Sequence, residues 1–386
     1  MVARDPERAD PDMHDPTDPP PTAARPGRLV SLDALRGFDM FWIVGADELV
    51  SALRKVRDAG PVRALAEQLE HVEWGGFHFE DLIFPLFLFI VGVSLVFSLE
   101  GRLATEGRAV VLRRIVRRAA LLYVLGIFYY GGFSTPFAQI RLLGVLQRIA
   151  ISYLFAALIF VSCGNRGRLA WCVGLLVGYW ALLTFVPVPG GTAGDFAEGR
   201  NLANWVDAHY LPLRKWDGDH DPEGLLSTLP AIANGLIGVF AGVLLRDTRL
   251  GPWWKVALLA ASGVALAALG RAWDPYFPVI KKLWTSSFVL VACGYGSLLL
   301  AGFYLVIDVL GWRGWATPFV WIGMNPITIY MLDNLGLFKA IARRLVGGDL
   351  ERHLGTYGPL AQAVVGLLLA FAVARFLYQR KVFLRL

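Results

Sequence analysis

An all-α polytopic membrane protein, a bundle of about ten transmembrane helices, is the fold this sequence predicts. Three observations carry that prediction. Of its 386 residues, 56% are hydrophobic and 18% charged, with a mean hydropathy of +0.52. A soluble domain is closer to half apolar and a quarter charged. The apolar residues are also gathered into runs: residues 81–99 (DLIFPLFLFIVGVSLVFSL) carry one charge, at Asp81, and residues 285–307 carry none. A helix needs roughly 20 such residues to cross the hydrocarbon core. Finally, the alternation of barrel strands is missing, and in lipid a helix is the remaining way to satisfy every backbone group internally.

Taken in order, residues 1–28 hold seven of the 21 prolines, interleaved with Asp and Arg. They have no signal-peptide apolar region and too little surface to bury for folding. They are expected to form a disordered cytoplasmic tail, with residues 29–386 forming one transmembrane domain. The apolar segments are 34–53, 81–99, 115–133, 142–163, 169–187, 224–245, 253–270, 285–307, 317–341 and 358–378. Most are joined by short loops; the connections 54–80 and 188–223 are longer. An even number of spans puts both termini on one side. The dense block Arg102, Arg108, Arg113, Arg114, Arg117 and Arg118 makes that side cytoplasmic by the positive-inside rule. Both long connections then face outward.

The net charge of +6 fits basic loops beside anionic headgroups better than nucleic acid, for which there is no basic-aromatic surface pattern. Cys163, Cys172 and Cys293 lie in or beside apolar runs without metal-type spacing, as small core residues do.

Ionisable groups inside membrane helices are costly and usually functional. Asp33 and Arg36, three apart at the entry of the first segment, share a helical face and can pair. Asp39 and Asp47 follow, eight apart and so broadly on one side of that helix, facing the bundle or water. The run HVEWGGFHFED, residues 71–81, brings His71, Glu73, His78, Glu80 and Asp81 to the head of the most apolar helix. Its spacing is no known ligand frame, so no metal is expected. Acid–base chemistry suits it, with a carboxylate fixing the tautomer of a His that titrates near neutrality. In RLLGVLQR, residues 141–148, Arg141 and Arg148 stand seven apart on one helical face beside Gln147, and guanidinium forks match phosphate. Asp221 and Glu223 open a helix containing Asn234, Lys281 and Lys282 open another, and Asn325-Pro326 interrupts a third. Polar groups on several helices are the pattern of a central site.

These blocks, in their order, resemble the heparan-α-glucosaminide N-acetyltransferase family of transmembrane acetyltransferases, a lysosomal enzyme and its bacterial relatives. The resemblance runs from about residue 28 to the end and rests on six blocks: RLVSLDALRGFDM, HVEWGGFHFEDLIFPLFLFIVG, RLLGVLQRIAISYL, HDPEGLLSTLPAIANG, KKLWTSSFVL and PFVWIGMNPITIYM. It implies transfer of an acetyl group from cytosolic acetyl-CoA, a co-substrate, to an amino sugar or other glycan acceptor across the membrane. The family's catalytic His lies in an H-x-x-W pattern before the DL-x-FP helix; His71 with Trp74 matches it and His78 does not. The lysosomal pattern carries a lumenal region and an extra helix before its first shared block, where this sequence is expected to have a short disordered tail, and an Asn where this sequence has Asp47.

Acetyl transfer requires a held donor, a polarised carbonyl and a deprotonated acceptor. His71 is the expected base or nucleophile, with Asp47 and Trp74 beside it. Arg141, Arg148, Lys281 and Lys282 are candidates for the donor's phosphates, joined by Gln147, and Asn234 and Asn325 for its carbonyl. The expected partners are acetyl-CoA, the glycan acceptor and the bilayer, with a homodimer as an admissible assembly and a bacterial inner membrane as the location. A secondary transporter of a small polar or anionic substrate and an envelope glycan O-acetyltransferase are the competing readings.

Overall fold

The computed structural model describes residues 29–56 and 60–384, so the expected disordered tail lies outside the described residues. The first expected span is not one helix. α1 (Val30–Phe41) passes through a wide turn at Trp42–Ala46 into α2 (Asp47–Val56), and Gly45 at φ +142° breaks the regular helix between them. This corrects the expectation that Asp39 and Asp47 share a side: Asp39 is fully buried, whereas Asp47 is exposed at the start of α2. α3 (Gly60–Gln68) lies within the first long connection.

α4 (Phe79–Thr105) is the most apolar span; its 27 residues cover roughly 40 Å at 1.5 Å each. α5 (Arg108–Tyr129) carries the arginine block, and α6 (Val145–Ser162) and α7 (Asn165–Phe185) follow. The second long connection holds α8 (Leu202–Tyr210), capped by the Asn201 side chain, which accepts from the Asn204 N–H. Next come α9 (Thr228–Arg246), α10 (Pro252–Trp273) and α11 (Ser286–Phe303). The expected span 317–341 is divided into α12 (Thr317–Gly323), α13 (Pro326–Asn334) and α14 (Leu337–Val346). Pro326 has no N–H to continue the ladder, and Gly336 at φ +69° makes the second break. α15 (Asp349–Leu354) and α16 (Gly358–Gln379) complete the chain.

The protein is therefore an all-α polytopic membrane protein. Seven helical stretches among the described residues are long and apolar enough to cross a membrane. The other three expected spans do not reach that length and composition as single helices: the first is broken at Gly45, α5 carries five arginines, and 317–341 is broken at Pro326 and Gly336. α9, with 72% of its apolar window buried, stands at the centre, whereas α10, with 17%, presents its apolar side outward, as lipid-facing helices do. α4 packs on α9, α5 on α6, α10 on α11 and α1 on α12. The α4–α9 approach depends on small residues: a Cβ at Gly238 would overlap the carbonyl of Phe89, and one at Gly92 that of Gly235. Close backbone contact of this kind is how membrane helices associate without a hydrophobic driving force.

Candidate active site

The two long connections meet at one end of the bundle. The Trp74 indole donates to the Phe196 carbonyl at 3.0 Å, Gly75 bridges to Ile280 and Arg141 to Arg214. The Gly76 N–H donates to the Val279 carbonyl at 2.9 Å. Residues 71–76 are thus strapped across the head of α4. Beneath them lies a cavity of about 480 Å³, within the usual range for small-molecule sites. Its mouth is polar, with His71, Trp74, Glu80, Trp216, Asp217, Lys281 and Lys282; its depth is lined by Phe84, Phe87, Ile149, Ile327 and Tyr330.

Asp81 organises the mouth. Fully buried, it accepts the His78 backbone N–H through Oδ2 at 3.0 Å, closing the first turn of α4. Its Oδ1 lies 3.2 Å from His71 Nδ1 and 3.3 Å from Lys281 Nζ. Lys281 Nζ also lies 3.0 Å from His71 Nδ1. Burial pushes the Lys281 amine below its ordinary range, against the pull of Asp81 and Glu80. Nδ1 is thus met by both the Asp81 carboxylate and the Lys281 amine; in the tautomer that directs Nδ1–H to Asp81, Nε2 keeps its lone pair. His78 is placed differently: its Nδ1 is 2.8 Å from the Glu70 carbonyl, and it does not line the cavity.

The two arginines have unlike surroundings, and they do not share a helical face as expected. Gly144, extended at φ −157°, precedes the first turn of α6, so Arg141 belongs to the loop. Arg141 grips Asp221 through Nε at 2.8 Å and Nη2 at 2.5 Å, and Glu223 through Nη2 at 2.5 Å. Tyr130 and Trp216 hold its guanidinium at 4.6 and 4.9 Å. Asp221 further accepts the N–H groups of Trp216 and Glu223. Arg141, Asp221 and Glu223 thus form a closed knot, with Arg141 and Glu223 on the cavity wall. Gln147 supports the knot from below, its amide donating to the Arg141 carbonyl at 3.3 Å. Arg148 is fully buried behind Trp284, whose ring lies 4.8 Å from its guanidinium. It donates to Ser227 Oγ, and its Nε and Nη1 meet no protein acceptor. Arg148 does not line the cavity, and the charges of Glu223, Asp221 and Asp207 act on it without hydrogen bonds to it.

Lys282 is similarly engaged, 2.8 Å from Glu198 and 3.3 Å from Asp217. Those carboxylates outweigh burial and hold its amine above its usual range. Asp207, on α8, accepts the Leu225 N–H at 2.8 Å and the Asp221 N–H at 3.4 Å. Burial outweighs these bonds and pushes its carboxyl up to about 6.

Five further candidates do not line the cavity. Asp47 is exposed on α2 and bonds the Glu48 N–H. Asn234 donates to the Pro85 carbonyl at 3.0 Å, joining α9 to α4. Asn325 donates to the Val382 carbonyl and accepts the Leu384 N–H, pinning the segment after α16. Arg36 meets Asp33 at 3.2 Å as its spacing predicts, but reaches on to Ser94 and the Gly323 carbonyl, tying α1 to α4 and α12. The cavity adds residues the sequence reading did not single out: Tyr130, Trp216, Asp217, Trp284 and Tyr330. The run Trp216-Asp-Gly-Asp-His-Asp-Pro-Glu223 was the available signal for the second and third of these.

Fold and site together define a polytopic helical membrane protein with a histidine–carboxylate pair at the mouth of an apolar shaft. Over residues 28–273 the chain matches the family described as heparan-alpha-glucosaminide N-acetyltransferase, catalytic, and it belongs to that family. It is 28% identical over 379 residues to heparan-alpha-glucosaminide N-acetyltransferase of Homo sapiens, covering 81% of this chain and 55% of that protein. With the Mus musculus protein of the same name it is 28% identical over 378 residues, covering 81% and 56%. The chain thus spans about half the length of the curated relatives it matches.

Proposed function

We propose that this protein is a membrane acetyltransferase that moves an acetyl group from cytosolic acetyl-CoA to an amino sugar or other glycan amine on the extracytoplasmic side. The observation that carries the reading is His71, its Nδ1 held by buried Asp81 at the mouth of the cavity. Family membership supports the reaction class. In direct transfer, His71 Nε2 takes the proton from the acceptor nitrogen as that nitrogen bonds the thioester carbonyl carbon. The carbon–sulfur bond then breaks, and the proton passes on to the departing thiolate. In a two-step route His71 Nε2 itself attacks the thioester carbonyl carbon, the carbon–sulfur bond breaks and the CoA thiolate leaves; the acceptor amine then attacks the acetyl carbon, the Nε2–acetyl bond breaks, and the amine proton passes to the freed Nε2. In both routes Asp81 stabilises the imidazolium or acyl-imidazolium through Nδ1–H. Lys281, beside His71, supplies positive charge where the carbonyl oxygen becomes anionic, and Arg148 offers unpaired donors to an anionic part of the donor. Trp74 and Trp216 give apolar faces for a sugar ring.

Purified protein in liposomes, given acetyl-CoA carrying a labelled acetyl group and a panel of amino sugars, tests the reading. Labelled N-acetyl product and free CoA thiol are expected in equal amounts. Acceptor flux without acetyl consumption would make the protein a carrier, and O-acetyl product alone would change the acceptor class. Label retained on the protein without acceptor separates the two-step route from the direct one.

A further inference from the structure

A second set of chemistry-bearing side chains lies beside the cavity, within the long connection between α7 and α9. Glu198, Asp217 and His220 each direct one ligand atom to a common point, and those atoms lie within 4.8 Å of one another. We infer that these three side chains form a binding site for a divalent cation of the zinc class.

Three features carry the inference. His220 is only 5% exposed, yet its Nε2 has no hydrogen-bond partner and is aimed at Glu198 Oε1 and Asp217 Oδ2, 3.6 and 3.8 Å away. A histidine nitrogen buried with its lone pair unmet is costly unless something binds there. The other ring nitrogen, Nδ1, lies 2.6 Å from Asp219 Oδ1. A carboxylate on the far nitrogen fixes the tautomer that presents Nε2 as a ligand, the outer-shell arrangement of metal-bound histidines. The spacing also fits. Zinc–ligand bonds of about 2.0–2.2 Å in a tetrahedron set ligand atoms roughly 3.4 Å apart, so the two separations from His220 Nε2 need to close by only a few tenths of an ångström, and the two carboxylate oxygens start within 4.8 Å of each other.

A cation is already drawn to this point. Lys282 Nζ lies 2.8 Å from Glu198 Oε1 and 3.3 Å from Asp217 Oδ2, bridging two carboxylates that would otherwise repel. A divalent ion competes with that ammonium and displaces it. One nitrogen and two oxygen ligands suit zinc rather than calcium or magnesium, which take oxygen ligands almost alone. The bound ion staples the connection around Trp216, and Lys282, which lines the cavity, is released toward its mouth.

The test is an equilibrium competition for zinc between a chromophoric chelator and the full chain, tag removed and chelator-stripped, in detergent. One zinc per chain is expected, with calcium and magnesium failing to compete. Asp219→Asn keeps all three ligands and should weaken binding by roughly 10–100-fold. Lys282→Met should bind zinc more tightly than the wild type, and His209→Ala should bind equally. Neither Asp219→Asn nor Lys282→Met removes a ligand or a buried group, so both are suited to a folded-protein comparison. Less than one zinc per chain would overturn the inference, as would an affinity that neither substitution moves. Because binding is read without turnover, its failure is distinct from a failure of the acetyltransferase reading.

Discussion

His71 Nδ1 and Asp81 Oδ1 lie 3.2 Å apart across the strap that covers the head of α4. One residue is 58% exposed and the other fully buried, so a solvent-accessible imidazole is oriented by a carboxylate that cannot move. His71→Ala should reduce acetyl transfer by roughly 10²–10⁴-fold, the usual effect of removing a general base, while thermal stability stays near wild type. His78→Ala should keep most activity, because His78 lies outside the cavity. Equal turnover of the two variants in the liposome assay would overturn the assignment.

Arg141 and Arg148 should fail in different ways. Arg141→Met leaves Asp221 and Glu223 buried without their cation and should destabilise the protein by about 3–5 kcal/mol. Arg148→Met removes no hydrogen bond to a carboxylate, so its distinguishing effect should be on acetyl-CoA affinity, with a loss on the order of 2–5 kcal/mol if it meets a desolvated anion. Melting curves and donor titrations of both variants check this, and an unchanged acetyl-CoA affinity in folded Arg148→Met would put the donor's anionic groups elsewhere.

Asp207 gives stability a pH dependence of known sign. Its carboxyl has a pKa of about 6 in the folded protein against an ordinary 3.8, so between those values the folded state binds more protons. Its contribution is fully present below the lower value and is lost as pH rises through the upper one. From pH 4 to 7 the stability of the wild type relative to Asp207→Asn should therefore fall, by on the order of 2–3 kcal/mol. Denaturation midpoints of the two proteins across that range are the measurement, and parallel curves would contradict it.

The α4–α9 contact should not admit a side chain. Gly238→Val must push the two helices apart or distort them, and overpacking of this kind costs typically about 1–3 kcal/mol. A melting temperature equal to wild type would mean that this crossing is looser than its geometry.

The proposed topology has its own test. Ala104 is exposed at the end of α4, next to the arginine block. A cysteine there should resist impermeant thiol reagents in intact cells and react after permeabilisation. Labelling from outside would invert the protein, and with it the side on which the cavity mouth lies.

The sequence by itself determined the membrane class, the helical fold and the principal apolar spans, because long uncharged runs have one stable form in lipid. It also determined the grouping of His71 with Asp81, since only nine residues lie between them. It did not determine where regular helix stops: Gly45, Gly144 and Gly336 break or delay helices that hydrophobic patterning runs together. Those breaks took Asp47 off the side of Asp39 and Arg141 off the face of Arg148. Tertiary structure alone decided the partners of each charge. Arg141 meets Asp221 eighty residues away, Lys281 meets His71 two hundred and ten residues away, and Glu198 reaches the point that His220 faces. Such pairings follow from how helices cross and loops fold back, whereas sequence periodicity reports only which face of one helix a residue occupies.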